Sequence, residues 1–142
     1  MGVAEGFFGS LAEAHGFPYN QIPTKMFKPQ AGGLGLATLC GSLGVAAFCI
    51  GSVVDPKDAP ALVKELYEWY KKFPFPKYQP EYQGALETTV ADSYLCSDSV
   101  GKFMEKMKVP YTDPKRKARC AGNAADVTRY MVEMLNRHFK VS

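Results

Sequence analysis

Between Leu62 and Phe73 the apolar positions Leu62, Leu66, Trp69, Tyr70 and Phe73 recur every three or four residues while the lysines lie largely off that line. This pattern predicts an amphipathic helix, with Asp58 as its N-cap. The stretch "FPFPKYQP" at 73–80 cannot prolong it, because each proline removes a donor and pushes the residue before it towards extended backbone. A second stripe, Val100, Phe103, Met104 and Met107, predicts a helix capped by Ser97 or Asp98. Asp113-Pro114 opens a long last helix that runs to about His138. At the other end, small residues at Gly2, Gly6, Ser10 and Ala14 line one face of a first helix and invite another helix to approach closely, with Gly16 as its stop. Residues 17–30 carry three prolines and predict an irregular connection.

The remaining run, "AGGLGLATLCGSLGVAAFCIG" at 31–51, is uncharged and glycine-rich. Extended to residue 54 it is long enough for a membrane anchor. Its glycine content and amphipathic neighbours favour a buried central helix instead, with Ala37, Gly41 and Gly44 as a small face beside Cys40. The expected architecture is all-α: one compact domain, residues 1–142, of four or five helices around this segment, with no convincing strand and no internal repeat. A chain of 142 residues, 46% of them hydrophobic, suits one domain with a real core. Its net charge of +3 gives no lead towards nucleic acid or an anionic membrane, and "PKRKAR" at 114–119 is a solvated helix start. No secretory signal is visible at the start. The compartment stays open between cytoplasmic and, if a signal has been removed, periplasmic.

Candidate chemistry rests on four cysteines, Cys40, Cys49, Cys96 and Cys120. They are too few and too scattered for a disulfide scaffold, and the absence of C-x-x-C argues against a zinc ribbon, a rubredoxin-like site or a dithiol motif. With 36–51 as one regular helix, Cys40 and Cys49 lie roughly 180° apart around the axis and about 13 Å apart along it, too far to share a metal or a disulfide. Cys96 just before a helix start and Cys120 after "KRKAR" occupy positions where positive charge favours thiolate. Each also suits a small buried hydrophobe. His138 lies about 27 Å along the last helix from Cys120 and reads as a surface residue, while His15 reads as a helix C-terminal residue.

Five segments in register, "GVAEGF" at 2–7, "GGLGLATLCGSLG" at 32–44, "LVKELYEWY" at 62–70, "LCSDSVGKF" at 95–103 and "ARCAGNAADVTRYMVEMLN" at 118–136, resemble the redox-active family named for its C-GCAxxG-C-C pattern, and especially the domain of split-Soret cytochromes c. The resemblance implies that Cys40, Cys96 and Cys120 are the family cysteines and Cys49 an additional one. It further implies a metal-binding electron carrier or accessory subunit rather than a catalyst, an iron–sulfur or other thiophilic centre or cycling thiols on those three residues, and a homodimer or redox-complex partner. Haem would enter only non-covalently or from a partner, since C-x-x-C-H is absent. At the G-C-A-x-x-G motif the chain has Gly2-Val3-Ala4-Glu5-Gly6, so Val3 stands where a cysteine is expected. A non-catalytic structural subunit of a redox complex, with part of the site lost, is the competing expectation. A membrane-anchored subunit through residues 31–54 is a further one.

Overall fold

The computed structural model describes residues 2–79 and 82–141. Met1, Pro80, Glu81 and Ser142 lie outside the described residues, Pro80 being the last residue of the proline-rich stretch. The fold is all-α. A first rod consists of α1 (Gly2–Ala4), a π-helical stretch (Glu5–Gly9) and α2 (Ser10–His15). It is followed by α3 (Gly41–Val53), α4 (Ala59–Lys72), α5 (Cys96–Met107) and α6 (Pro114–Phe139). With the rod counted once, five α-helical elements are described, the upper of the two expected numbers, beside short 3-10 turns at Tyr19–Gln21 and Thr24–Gln30 and a π-helical stretch at Gly33–Ala37.

The apolar stripes end where the sequence places them inside. Leu66 and Tyr70 on α4, Val100 and Phe103 on α5, and Val127, Met131, Met134 and Leu135 on α6 are buried. α3 is apolar on nearly all sides and packs against α1, α4 and α6, so it is the central helix of the expectation. Trp69 stacks on Tyr130 at 4.2 Å between ring centroids, joining α4 to α6. Asp113 caps α6 as expected, its side chain accepting from the Lys115 amide. Asp58 holds the N-cap position of α4 without making a side-chain cap bond.

Four expectations change. The central helix begins at Gly41 rather than near residue 36, because Gly32, Gly33 and Gly35, together with Leu34 and Ala37, take positive φ. Left-handed residues cannot join an α-helical ladder, so Cys40 becomes the N-cap of α3 and Ala37 is exposed outside it. A Cβ on Gly33 would meet the Thr38 backbone amide nitrogen at once, so glycine is required there. Cys96 is the first residue of α5, behind Leu95, which places Ser97 and Asp98 inside the first turn instead of at the cap. On the first rod the buried face is Val3, Ala4, Phe7 and Phe8, while Ser10 and Ala14 are exposed. Of the small-residue stripe, Gly2 and Gly6 meet α6, at Ala124 and Thr128. Finally, Pro74–Phe75 (β1) pairs antiparallel with Thr89–Val90 (β2), Pro74 opposite Val90. The prolines that stop α4 leave this backbone extended and able to pair.

The loop after β1 is held on α6. Asp126 accepts hydrogen bonds from the amides of Lys77 and Tyr78 at 2.7 and 3.2 Å. Gly122 leaves room for the Tyr78 carbonyl and the Pro76 ring. No helix among the described residues is long and apolar enough to cross a membrane, and residues 31–54 divide into a left-handed segment and the 13-residue α3.

Candidate functional site

Cys40, Cys96 and Cys120 reach one place from three elements. Thr38, Leu39 and Cys40 run antiparallel to Tyr94, Leu95 and Cys96, with Leu39 and Leu95 paired in an isolated bridge. The Cys40 amide donates to the Tyr94 carbonyl at 2.9 Å and the Cys96 amide to the Thr38 carbonyl at 2.6 Å. The bridge sets Cys40 opposite Tyr94 and Cys96 opposite Thr38, so the two cysteines stand diagonally across it at the starts of α3 and α5. Cys120 comes from the second turn of α6. All three line a cavity of about 700 Å³, which Val3, Gly41, Ser42, Arg116 and Arg119 also line. Cys49, fully buried on α3, is not among the lining residues.

Positive charge gathers around the thiols. α3 and α5 both begin at this cavity, and a helix start carries partial positive charge. Arg116 donates through Nη1 to Cys120 Sγ at 3.8 Å and through Nε to the Tyr111 carbonyl at 2.7 Å. Arg119 is 1% exposed. Its Nη2 donates to Ser99 Oγ at 2.8 Å, its Nε has no partner, and among the described residues no carboxylate pairs with it. The Phe75 and Phe103 rings lie 5.7 and 5.9 Å from the guanidinium carbon.

From Arg119 a buried polar chain leads back to a cysteine. Ser99 Oγ and the Tyr70 hydroxyl share a hydrogen bond of 2.9 Å, Asn123 Nδ2 donates to that hydroxyl at 3.3 Å, and Cys40 Sγ stands 3.9 Å from Asn123 Oδ1. Burial, with the nearby Cys40 sulfur next in importance, pushes the Tyr70 hydroxyl up. The same causes push Tyr67, which donates to the Leu43 carbonyl, up to about 12.

The expectation of a thiolate-favouring place is corrected at Cys96. Burial pushes this thiol up, the neighbouring Cys40 and Cys120 add to the rise, and Arg119 and Arg116 offset only part of it. In the absence of a metal, desolvation and crowding by like groups outweigh the helix start and the two guanidinium groups. His15 is exposed and His138 half-buried against Phe139, and neither lines the cavity.

The residues fit a thiophilic group. Three sulfur donors, a cavity wider than one ion and an uncompensated buried cation form an environment for a negatively charged, thiolate-bound occupant. Among the described residues no three His, Cys, Asp or Glu side chains stand close enough together to hold a single metal ion. The composition of Arg119, Asn123, Ser99 and Tyr70 as a cavity wall was not read from the sequence. A signal for it exists on α6, whose buried line changes from Arg119, Asn123 and Asp126 to Val127, Met131 and Met134. Polar residues continuing an apolar stripe mark where a core gives way to a site.

Val3 lines the cavity as well, 2% exposed, on the rod that Gly2 and Gly6 seat against α6. By spacing, the last glycine of a G-C-A-x-x-G motif that starts at Gly2 falls on buried Phe7, one residue beyond Gly6.

Residues 3–134 match the family described as "Putative redox-active protein (C_GCAxxG_C_C)". The chain is 31% identical over 142 residues to split-Soret cytochrome c of Desulfovibrio desulfuricans, an alignment covering 96% of this chain and 51% of that protein. A solved structure of that cytochrome, described for its novel iron centre, matches with a TM-score of 0.92 at 30% identity, covering 97% of this chain and 60% of the other. The chain thus spans about half the length of the curated relative it matches. With a match through nearly the whole chain and a fold shared at that level, this chain belongs to the redox-active C-GCAxxG-C-C family.

Proposed function

We propose that the chain is an electron-transfer protein that holds an iron–sulfur or other thiophilic metal centre through Cys40, Cys96 and Cys120. One observation carries the reading: three cysteines spread over 80 residues of sequence line a single cavity, and the fourth, Cys49, does not. The iron centre described for split-Soret cytochrome c, which shares the fold, supports it. Three thiols set around a cavity of about 700 Å³ favour a centre of several metal ions over a lone ion, whose bonds to sulfur are only about 2.3 Å long. When bound, such a centre would accept and release single electrons.

The protein's own residues would set how readily this happens. Gly41 and Ser42, the first two residues of α3, line the cavity, Arg116 approaches Cys120, and the walls exclude water from Cys40 and Cys96, each 9% exposed. The same reading includes a homodimer or a larger redox complex. Leu34 and Leu36, 55% and 74% exposed on the left-handed segment that walls the cavity, give such an assembly an apolar face beside the site.

Protein purified without oxygen, or rebuilt with ferrous iron and sulfide, should contain both elements, and Cys96→Ser should lower both. Failure of the wild type to retain iron or any other thiophilic metal in either preparation overturns the reading. Val3 favours a second one, a structural subunit that keeps the fold with an incomplete ligand set. Under it neither wild type nor Cys96→Ser binds iron, and both melt alike.

A further inference from the structure

Among the described residues, Arg119 is the least compensated buried charge. It is 1% exposed, its Nε has no partner, and no carboxylate pairs with it among the described residues. An arginine keeps its proton in proteins, so the guanidinium stays cationic even here. Its hydrogen bond to Ser99 and the faces of Phe75 and Phe103 solvate the charge without neutralising it. Buried charge without a counter-charge is strongly unfavourable, and the cavity that Arg119 lines also holds the three thiols Cys40, Cys96 and Cys120, groups that become anionic when they bind a metal.

We propose that Arg119 is the fixed counter-charge of this cavity, a positioning residue that selects a net-anionic occupant and is neutralised only when one is bound. The inference rests on the thiol-ligated centre proposed above and adds its charge class. Three cysteines that each lose a proton to a metal bring three negative charges, which outweigh the two positive charges of a dicationic metal or metal–sulfide core and leave the centre net-anionic, and Arg119, with Arg116 at Cys120, would supply the opposing field. The guanidinium therefore weakens the empty fold and strengthens the filled one, which a residue kept only for its structural contacts does not do.

That opposition gives the test. Arg119→Met has similar reach, and it leaves Ser99 bonded to Tyr70, so no new orphan is created. Metal-free Arg119→Met should melt about 3 °C or more above metal-free wild type. After anaerobic addition of ferrous iron and sulfide it should hold iron at least tenfold more weakly, as read by competition with a chelator. Arg119→Lys, which keeps the charge, should hold iron within about threefold of wild type. A methionine variant that melts lower or does not fold without metal, or that holds iron as tightly as wild type, overturns the proposal. If wild type itself takes up no iron, the electron-transfer reading fails, and the metal-free melting alone decides: a rise upholds Arg119 as an uncompensated cation, a fall overturns it.

Discussion

Val3 and Cys120 line the same cavity from two different helices, one a methyl-bearing side chain and the other a thiol that Arg116 already approaches. Restoring sulfur by Val3→Cys should raise the iron or zinc content above that of wild type, because a further soft ligand adds binding energy to the fold. Unchanged metal content and melting, with Cys40→Ser equally silent, would hand the cavity to the structural-subunit reading. Cys49 behaves differently from the other three. Burial holds its thiol at about 12 against an ordinary 9, so at pH 8 a soluble alkylating reagent should modify half-buried Cys120 well before Cys49. Mass spectrometry of the peptides would show it, and early labelling of Cys49 would contradict its placement in the core. At this scale the three thiols were legible from the sequence through family resemblance. Arg119 was not, because "PKRKAR" looks like a solvated helix start until the helix phase turns one of its cations inward.

The helices answer to simple rules where their stripes are clean, and those of α4 and α6 fixed both elements within a residue or two. The start of α3 escaped the same rules. Leu34 and Ala37, neither of them glycine, take left-handed backbone, and nothing in their side chains announces it. Once begun, α3 is as central as its composition implied. Leu43 is fully buried, so Leu43→Arg should abolish cooperative folding, since an unpaired buried charge costs several kcal/mol, on the order of a domain's whole margin. A normal melting transition would place that side chain at the surface. The joint between α6 and the loop after β1 is tight in another way. Gly122→Ala should cost about 1–3 kcal/mol by overpacking, because its Cβ would enter the Tyr78 carbonyl and stand 2.7 Å from Pro76 Cβ. Urea denaturation would measure the loss.

For the whole molecule, the buried thiol sets an alkaline limit. Cys49 ionises near its ordinary 9 when unfolded and near 12 when folded, so the folded protein keeps a proton that the unfolded chain releases. The resulting contribution is complete below about pH 8.5 and is lost as pH rises from 9 towards 12, Tyr67 acting in the same direction. The urea midpoint should fall across that range, and more shallowly for Cys49→Ala. Light scattering at micromolar concentration should show a dimer or larger species. A monodisperse monomer would remove the assembly from the proposal. The all-α plan and the convergence of dispersed cysteines could be anticipated from helical periodicity and family resemblance. The cavity's polar wall could not, since Ser99, Tyr70 and Asn123 meet only through tertiary contact.

The bridge between Leu39 and Leu95 has a consequence for isotope exchange. The amide hydrogens of Cys40 and Cys96 are its two flanking donors, and neither belongs to a helical ladder. Deuterium can replace them only when these two strands of backbone part, so both amides should exchange in one opening event and at matched rates. An occupant held by the two sulfurs would have to be released for that opening, and its binding should slow both amides by the same factor while those in the middle of α4 keep their rates.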